Sequence, residues 1–184
     1  MKGASAFVTI LDKLSATSAA AFSTRLLRSA YTGKCMNVRR SSDNAAQDIG
    51  FVNGVLDTAS LLAFVGAGNG FVTTWYDQSG NGYNSTQATA TNQPTIASSG
   101  AIVTLNGKPT IGGYNGAGAA LLTNNSSFGP FAAPGSFNAV FGVKDTGFFG
   151  AIAGSTSGTG ASSSFGSFGQ SLGCLLYTSP SPRD

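Results

Sequence analysis

The stretch that decides the fold is Phe71-Val72-Thr73-Thr74-Trp75-Tyr76-Asp77-Gln78-Ser79-Gly80-Asn81-Gly82. Its first six residues are all β-branched or aromatic, the types that fit a pleated and half-buried surface. A strand over residues 71–76 is therefore expected, followed by a loop over residues 79–82, where Ser, Gly and Asn replace all bulk. Asp77, at the end of the strand, is placed to accept backbone N–H groups of Ser79 and Gly80 in an Asx-type turn, a structural role. Side chains alternate along a strand, so Trp75 and Tyr76 face opposite ways. One of them fills the core and the other is free to stack on the ring of a ligand, which makes both substrate-binding candidates.

Outward from this strand the chain reads as short strands and turns. Residues 35–40 alternate as a strand, closed by a turn at Ser41-Ser42-Asp43-Asn44. Asp57 caps a short helix whose apolar residues Leu61, Leu62, Phe64 and Val65 run up to Gly66. Residues 16–30 carry Phe22, Leu26, Leu27 and Ala30 at helical spacing, with Arg25 and Arg28 opposite, and predict a first amphipathic helix closed by Gly33. Residues 103–111 hold Asn106-Gly107, the preferred pair of a two-residue hairpin. Residues 138–143 and 148–153 read as two more strands. Beyond Gly154 only Phe165 and Phe168 have the bulk for a core strand. The sum is an all-β antiparallel sandwich with two short helices near the amino terminus.

Composition removes whole classes of chemistry. The 184 residues include seven acids, all Asp, and no His. A Ser-His-Asp triad, a histidine metal site and an HExxH helix each need a residue type that is missing, so no metal and no cofactor is expected. Two cysteines, Cys35 and Cys174, cannot build a zinc cage, and Cys35 reads as a small buried hydrophobe. No apolar run reaches the roughly 18 residues of a membrane span, and the first residues lack a signal-peptide core. Seven of the ten basic residues fall in the first 40, yet no aromatic interleaving accompanies them. They read as solvated faces rather than a nucleic-acid footprint.

Residues 174–184, Cys-Leu-Leu-Tyr-Thr-Ser-Pro-Ser-Pro-Arg-Asp, match one reading frame of a common transposase sequencing adapter. They are expected to be a non-native tail. Residues 1–173 are then expected to be part of a longer domain.

With these residues in view, the chain resembles the amino-terminal half of the alpha-L-arabinofuranosidase B catalytic domain, glycoside hydrolase family 54. The residues that carry the resemblance are Arg39-Arg40-Ser41-Ser42-Asp43-Asn44, the Asp-initiated helix, Thr74 through Gly82 and the Leu105-Asn106-Gly107 hairpin. They lie within residues 16–153. The resemblance implies a concanavalin-like jelly roll and a carbohydrate partner, and an extracellular or virion-surface location. Asp43, Asp77, Gln78, Ser79 and Gly80 match family motif positions that read as structural. The family scheme implies a Glu nucleophile and an Asp acid/base in the carboxyl-terminal half, so no catalytic residue is carried over to this chain. Phe148 and Phe149 stand near the place of the family's adjacent cysteine pair, which this sequence lacks.

Two functions follow as expectations. The first is the front half of an enzyme that removes terminal arabinofuranosyl groups from arabinan or arabinoxylan, inactive by itself. The second is a non-catalytic carbohydrate-binding or spacing module of a phage or bacterial surface protein. Oligomeric state is not legible in the sequence.

Overall fold

The structure is a computed structural model that describes residues 9–14, 18, 20–112, 151–156 and 162–167. The chain groups into two units, Met1–Ala132 and Ala133–Asp184. In the first unit the strands are β1 (Met36–Arg40), β2 (Ala46–Ile49), β3 (Phe51–Val52), β4 (Val55–Leu56), β5 (Gly70–Trp75), β6 (Ser85–Thr86), β7 (Thr95–Ser98), β8 (Ala101–Ile102), β9 (Thr104–Leu105) and β10 (Lys108–Pro109). The second unit contributes β11 (Ala151–Thr156) paired antiparallel with β12 (Ser162–Ser167). The protein is all-β with one α-helix, α1 (Thr58–Val65), among the described residues.

A six-stranded antiparallel sheet organises the first unit in the order β2-β1-β5-β7-β8, with β6 also paired to β5. The strand expected over residues 71–76 is β5, at the centre of this sheet. Three two-residue hairpin turns have both central residues at positive φ: Asn53-Gly54, Ser99-Gly100 and Asn106-Gly107. That geometry matches the right-handed twist of the flanking strands, which is why Asn-Gly and related pairs recur there.

The core lies on one face of the sheet, where Met36, Val38, Ile49, Val72, Ile96 and Ala97 meet Leu61 and Val65 of the helix. Asp57 begins α1 as expected: its carboxylate accepts the Ser60 N–H at 3.0 Å. A register shift in β5 decides which aromatic is inside. Val38 faces Val72 while Asn37 faces Thr74, so Thr73 is an extra residue, and Trp75 returns to the face of its partner Met36. Trp75 accordingly packs on the core, against Phe22 at 5.6 Å between ring centroids.

The helix comes so close to β5 that Gly70 cannot be exchanged freely. A Cβ there would lie 2.9 Å from Val65 Cγ1 and 3.1 Å from Val38 Cγ1. Gly70→Ala is expected to cost about 1–3 kcal/mol by overpacking. It should lower the urea midpoint without changing the slope of the transition; an unchanged midpoint would mean that the helix does not sit on β5.

The helix expected over residues 16–30 does not form among the described residues of that stretch. They run in an irregular extended path with a single bridge, Arg25 to Val55. Leu26 N–H donates to Gly54 O at 2.9 Å and Leu56 N–H to Thr24 O at 2.8 Å, so the backbone groups a helix would consume are spent on the β3–β4 hairpin. The helical spacing of Phe22, Leu26 and Leu27 lost to these partners because a helix of this length is marginal without tertiary support. Among the described residues of the amino-terminal region, the helical element is a single 3-10 turn, Leu11–Lys13. The strand expected at residues 148–153 is described from Ala151 onward and continues through Gly154 to Thr156. The expected strand at residues 138–143, Phe148, Phe149 and the tail from Cys174 lie outside the described residues.

Candidate functional site

Asp77, Gln78 and Ser79 leave the end of β5 and are all buried, at 4%, 0% and 3% exposure, a rare state for such polar residues. Burial on this scale requires full hydrogen bonding, and the geometry supplies it. The Asp77 carboxylate accepts the backbone N–H of Ala21 at 2.8 Å, of Ser79 at 2.8 Å and of Tyr83 at 3.1 Å, and the Ser79 hydroxyl at 2.6 Å. The turn bond to Ser79 is the one read from the sequence; Tyr83, rather than Gly80, is the next local donor. Gly80 and Gly82 sit at φ +95 and +78, which lets the loop fold back over the carboxylate.

Gln78 faces the opposite partner. Its backbone N–H donates to Ala21 O at 2.8 Å. Its side-chain Oε1 accepts the Leu27 N–H at 2.8 Å, and Nε2 donates to Ser23 O at 2.9 Å and Arg25 O at 3.1 Å. One amide side chain thus does for residues 23–27 what a neighbouring strand would do. Together Asp77 and Gln78 hold the amino-terminal segment against the sheet. Asp43 pairs with Arg40 at 2.6 Å and accepts the Ala45 N–H at 3.0 Å, closing the β1–β2 turn.

Trp75 and Tyr76 part company as the alternation requires. The Trp75 Nε1 is buried without a hydrogen-bond partner among the described residues. Tyr76 keeps a partly exposed ring and donates its hydroxyl to Asp48 Oδ1 at 2.8 Å. Cys35 is fully buried, and burial pushes its thiol up to about 12, so it is the inert hydrophobe expected.

The sequence reading missed an open cleft of about 460 Å³ whose lining includes Tyr31, Lys34, Gln47, Asp48, Phe51 and Asp57. Tyr31 and Phe51 meet edge-to-face at 6.4 Å, and the Tyr31 hydroxyl fixes its own loop by donating to Lys34 O at 2.8 Å. These residues come from four separate elements and share no spacing, so no local pattern could have marked them.

Among the described residues, the aspartates whose acidity shifts are all made more acidic. Hydrogen bonds from Ser29 and Thr9 hold Asp12 down at about 2. The Arg40 guanidinium holds Asp43 well below the usual carboxylate range, and Ser60 lowers Asp57. A general acid for glycoside cleavage needs the opposite shift.

The family described as alpha-L-arabinofuranosidase B, catalytic, matches residues 10–150. The probable alpha-L-arabinofuranosidase B of Aspergillus flavus is 38% identical over 120 residues, covering 59% of this chain and 24% of the relative. The alpha-L-arabinofuranosidase of Hypocrea jecorina is 37% identical over 119 residues, with the same 59% and 24% coverage. The chain thus spans about a quarter of the length of the curated relatives it matches. Among solved structures, an arabinofuranosidase complexed with arabinofuranosyl-alpha-1,2-xylobiose is 31% identical over 42% of this chain and 19% of that chain, with a TM-score of 0.38. The family match runs from the turn at Leu11–Lys13, through the segment clamped by Gln78, across the whole six-stranded sheet and beyond it, and on that match the chain belongs to the alpha-L-arabinofuranosidase B catalytic-domain family.

Proposed function

We propose that this chain is the scaffold part of a domain that hydrolyses terminal arabinofuranosyl groups of arabinan or arabinoxylan outside the cell, within a concanavalin-like jelly roll. The observation that carries the reading is the family match over residues 10–150. In this reading the nucleophile and the acid/base belong to the remainder of the family domain, and Asp43, Asp77, Gln78, Ser79 and Gly80 build the frame that holds them. Two things support that division of labour. The chain has no Glu, and its buried Asp77 gives every contact to the protein itself. Retaining hydrolysis needs two carboxyl groups about 5 Å apart, one to attack the anomeric carbon and one to protonate the leaving oxygen.

The 184-residue chain alone is expected to release no chromophore from a nitrophenyl arabinofuranoside above the buffer rate. The same chain joined to the carboxyl-terminal remainder of the family domain is expected to turn the substrate over. Turnover by the chain alone would overturn the division of labour, and inactivity of the joined domain would overturn the substrate.

A further inference from the structure

The cleft beside β2 has polar groups that the fold leaves unused. Asp48 takes the Asn37 amide at 2.8 Å and the Tyr76 hydroxyl at 2.8 Å on the same oxygen, Oδ1, and Oδ2 has no partner among the described residues. The side chains of Thr32, Lys34 and Gln47 are exposed at the rim and make no hydrogen bond among the described residues. Arg39, on the neighbouring strand, is by contrast fully engaged, bonding Gln93, Asn44 and Ala90. What sets the cleft apart is that Asp48 and three rim side chains without partners among the described residues meet Tyr31 and Phe51 in one concavity.

Its chemistry points to a class of ligand. An acceptor (Asp48), a donor-acceptor amide (Gln47), a hydroxyl (Thr32) and an ammonium (Lys34) line the cleft together with two aromatic residues, Tyr31 and Phe51. Polyhydroxy rings present alternating hydroxyls and a C–H face, and this mixture satisfies both. An anion would require a surplus of positive charge, whereas Lys34 is opposed by both Asp48 and Asp57. The volume, about 460 Å³, falls in the range of small-molecule sites, roughly 300–1,000 Å³.

We propose that this cleft is a binding subsite for a neutral oligosaccharide, with Asp48, Gln47, Thr32 and Lys34 reading hydroxyls and Tyr31 and Phe51 supplying the ring contact; this rests on the carbohydrate reading above and adds a location to it. Tyr76 is a positioning residue here: its hydroxyl occupies Oδ1 of Asp48 and leaves Oδ2 for the ligand.

The test uses the isotope-labelled 184-residue chain and two-dimensional amide spectra, titrated with xylotriose, arabinobiose and trigalacturonate. Saturable shifts are expected at residues 31–34 and 47–51 with either neutral sugar, at a Kd on the order of millimolar. Gly50 offers a plug. It lacks a positive φ, and a Cβ on it would meet only the Lys34 side chain, at 3.8 Å, so Gly50→Leu fills the cleft without straining the backbone. That variant is expected to weaken binding by about tenfold or more while the remaining spectrum is preserved. The surface pair Gln47→Ala and Lys34→Ala, which removes no internal bond, is expected to weaken it about three- to fivefold.

Shifts that appear elsewhere, binding indifferent to Gly50→Leu and to the surface pair, or trigalacturonate binding more tightly than the neutral sugars would each overturn the proposal. Failure to bind would leave the hydrolase reading standing, because that reading is decided by chromophore release from the joined domain.

Discussion

Gln78→Leu is expected to cost the fold about 3–5 kcal/mol, a large share of the roughly 5–15 kcal/mol that keeps a domain folded. The volume is nearly conserved, so the loss is not a cavity effect. It arises because leucine leaves the Leu27 N–H and the Ser23 and Arg25 carbonyls without the partners they have at 2.8, 2.9 and 3.1 Å. Gln78 is fully buried, and water cannot replace it without opening the segment. The measurement is chemical denaturation together with amide exchange, in which the Leu27 amide should lose its protection first. Gln78→Glu refines the test. It keeps the acceptor for Leu27 but turns a second oxygen toward two carbonyls, so the folded protein favours the protonated acid. A raised folded pKa contributes stability below the unfolded value, about 4.3, and loses it as pH rises. The Glu variant should therefore gain on the parent as pH falls from 7 toward 4. A Leu variant as stable as the parent would show that residues 23–27 are not held by this amide.

The same amide explains what the sequence could and could not disclose. The β5 strand, the Asp57-capped helix and the Asn106-Gly107 hairpin were legible because their causes are local: β-branched runs, a capping carboxylate, a pair of residues at ease at positive φ. Asn53-Gly54 carries the same hairpin signal, and Ser99-Gly100 a weaker one. The segment around Phe22 and Leu27 reads as a helix in isolation because its deciding partner, Gln78, lies 51 residues from Leu27. Helical periodicity in isolation cannot register a competitor that far away. The face of Trp75 was another such case, since the extra residue in β5 that turns it inward exists only in the pairing with β1. In the candidate site, the motif Asp77-Gln78-Ser79-Gly80 is visible in the sequence, and so is the turn bond from Ser79 N–H to Asp77. The cleft was not visible, because Tyr31, Asp48 and Phe51 acquire a common meaning only once the β2 and β3 strands bring them together.

Asp77→Ala is expected to be the most damaging single change in the loop. Three backbone N–H groups, of Ala21, Ser79 and Tyr83, and the Ser79 hydroxyl lose one shared acceptor in a site only 4% exposed. Hydrogen bonds to a charged group are worth about 1.5–3 kcal/mol each, and bonds sharing one carboxylate do not add fully, so a loss of roughly 3–5 kcal/mol is expected. Asp77→Asn should cost less, about 1–3 kcal/mol. Its amide oxygen can still serve Ala21 and Ser79, and the Ser79 hydroxyl can turn to accept, which leaves Tyr83 N–H facing another donor. The distinction between a frame and a reacting group can then be measured in the joined catalytic domain. If Asp77 acts only as a frame, the Asn variant loses activity in proportion to its unfolded fraction, with KM unchanged, and recovers on cooling or with a stabilising osmolyte. If Asp77 took part in the chemistry, the Asn variant would be fully folded by denaturation and amide exchange and still inactive. The geometry favours the first outcome: the four bonds to Ala21, Ser79 and Tyr83 bind both carboxylate oxygens to the protein itself.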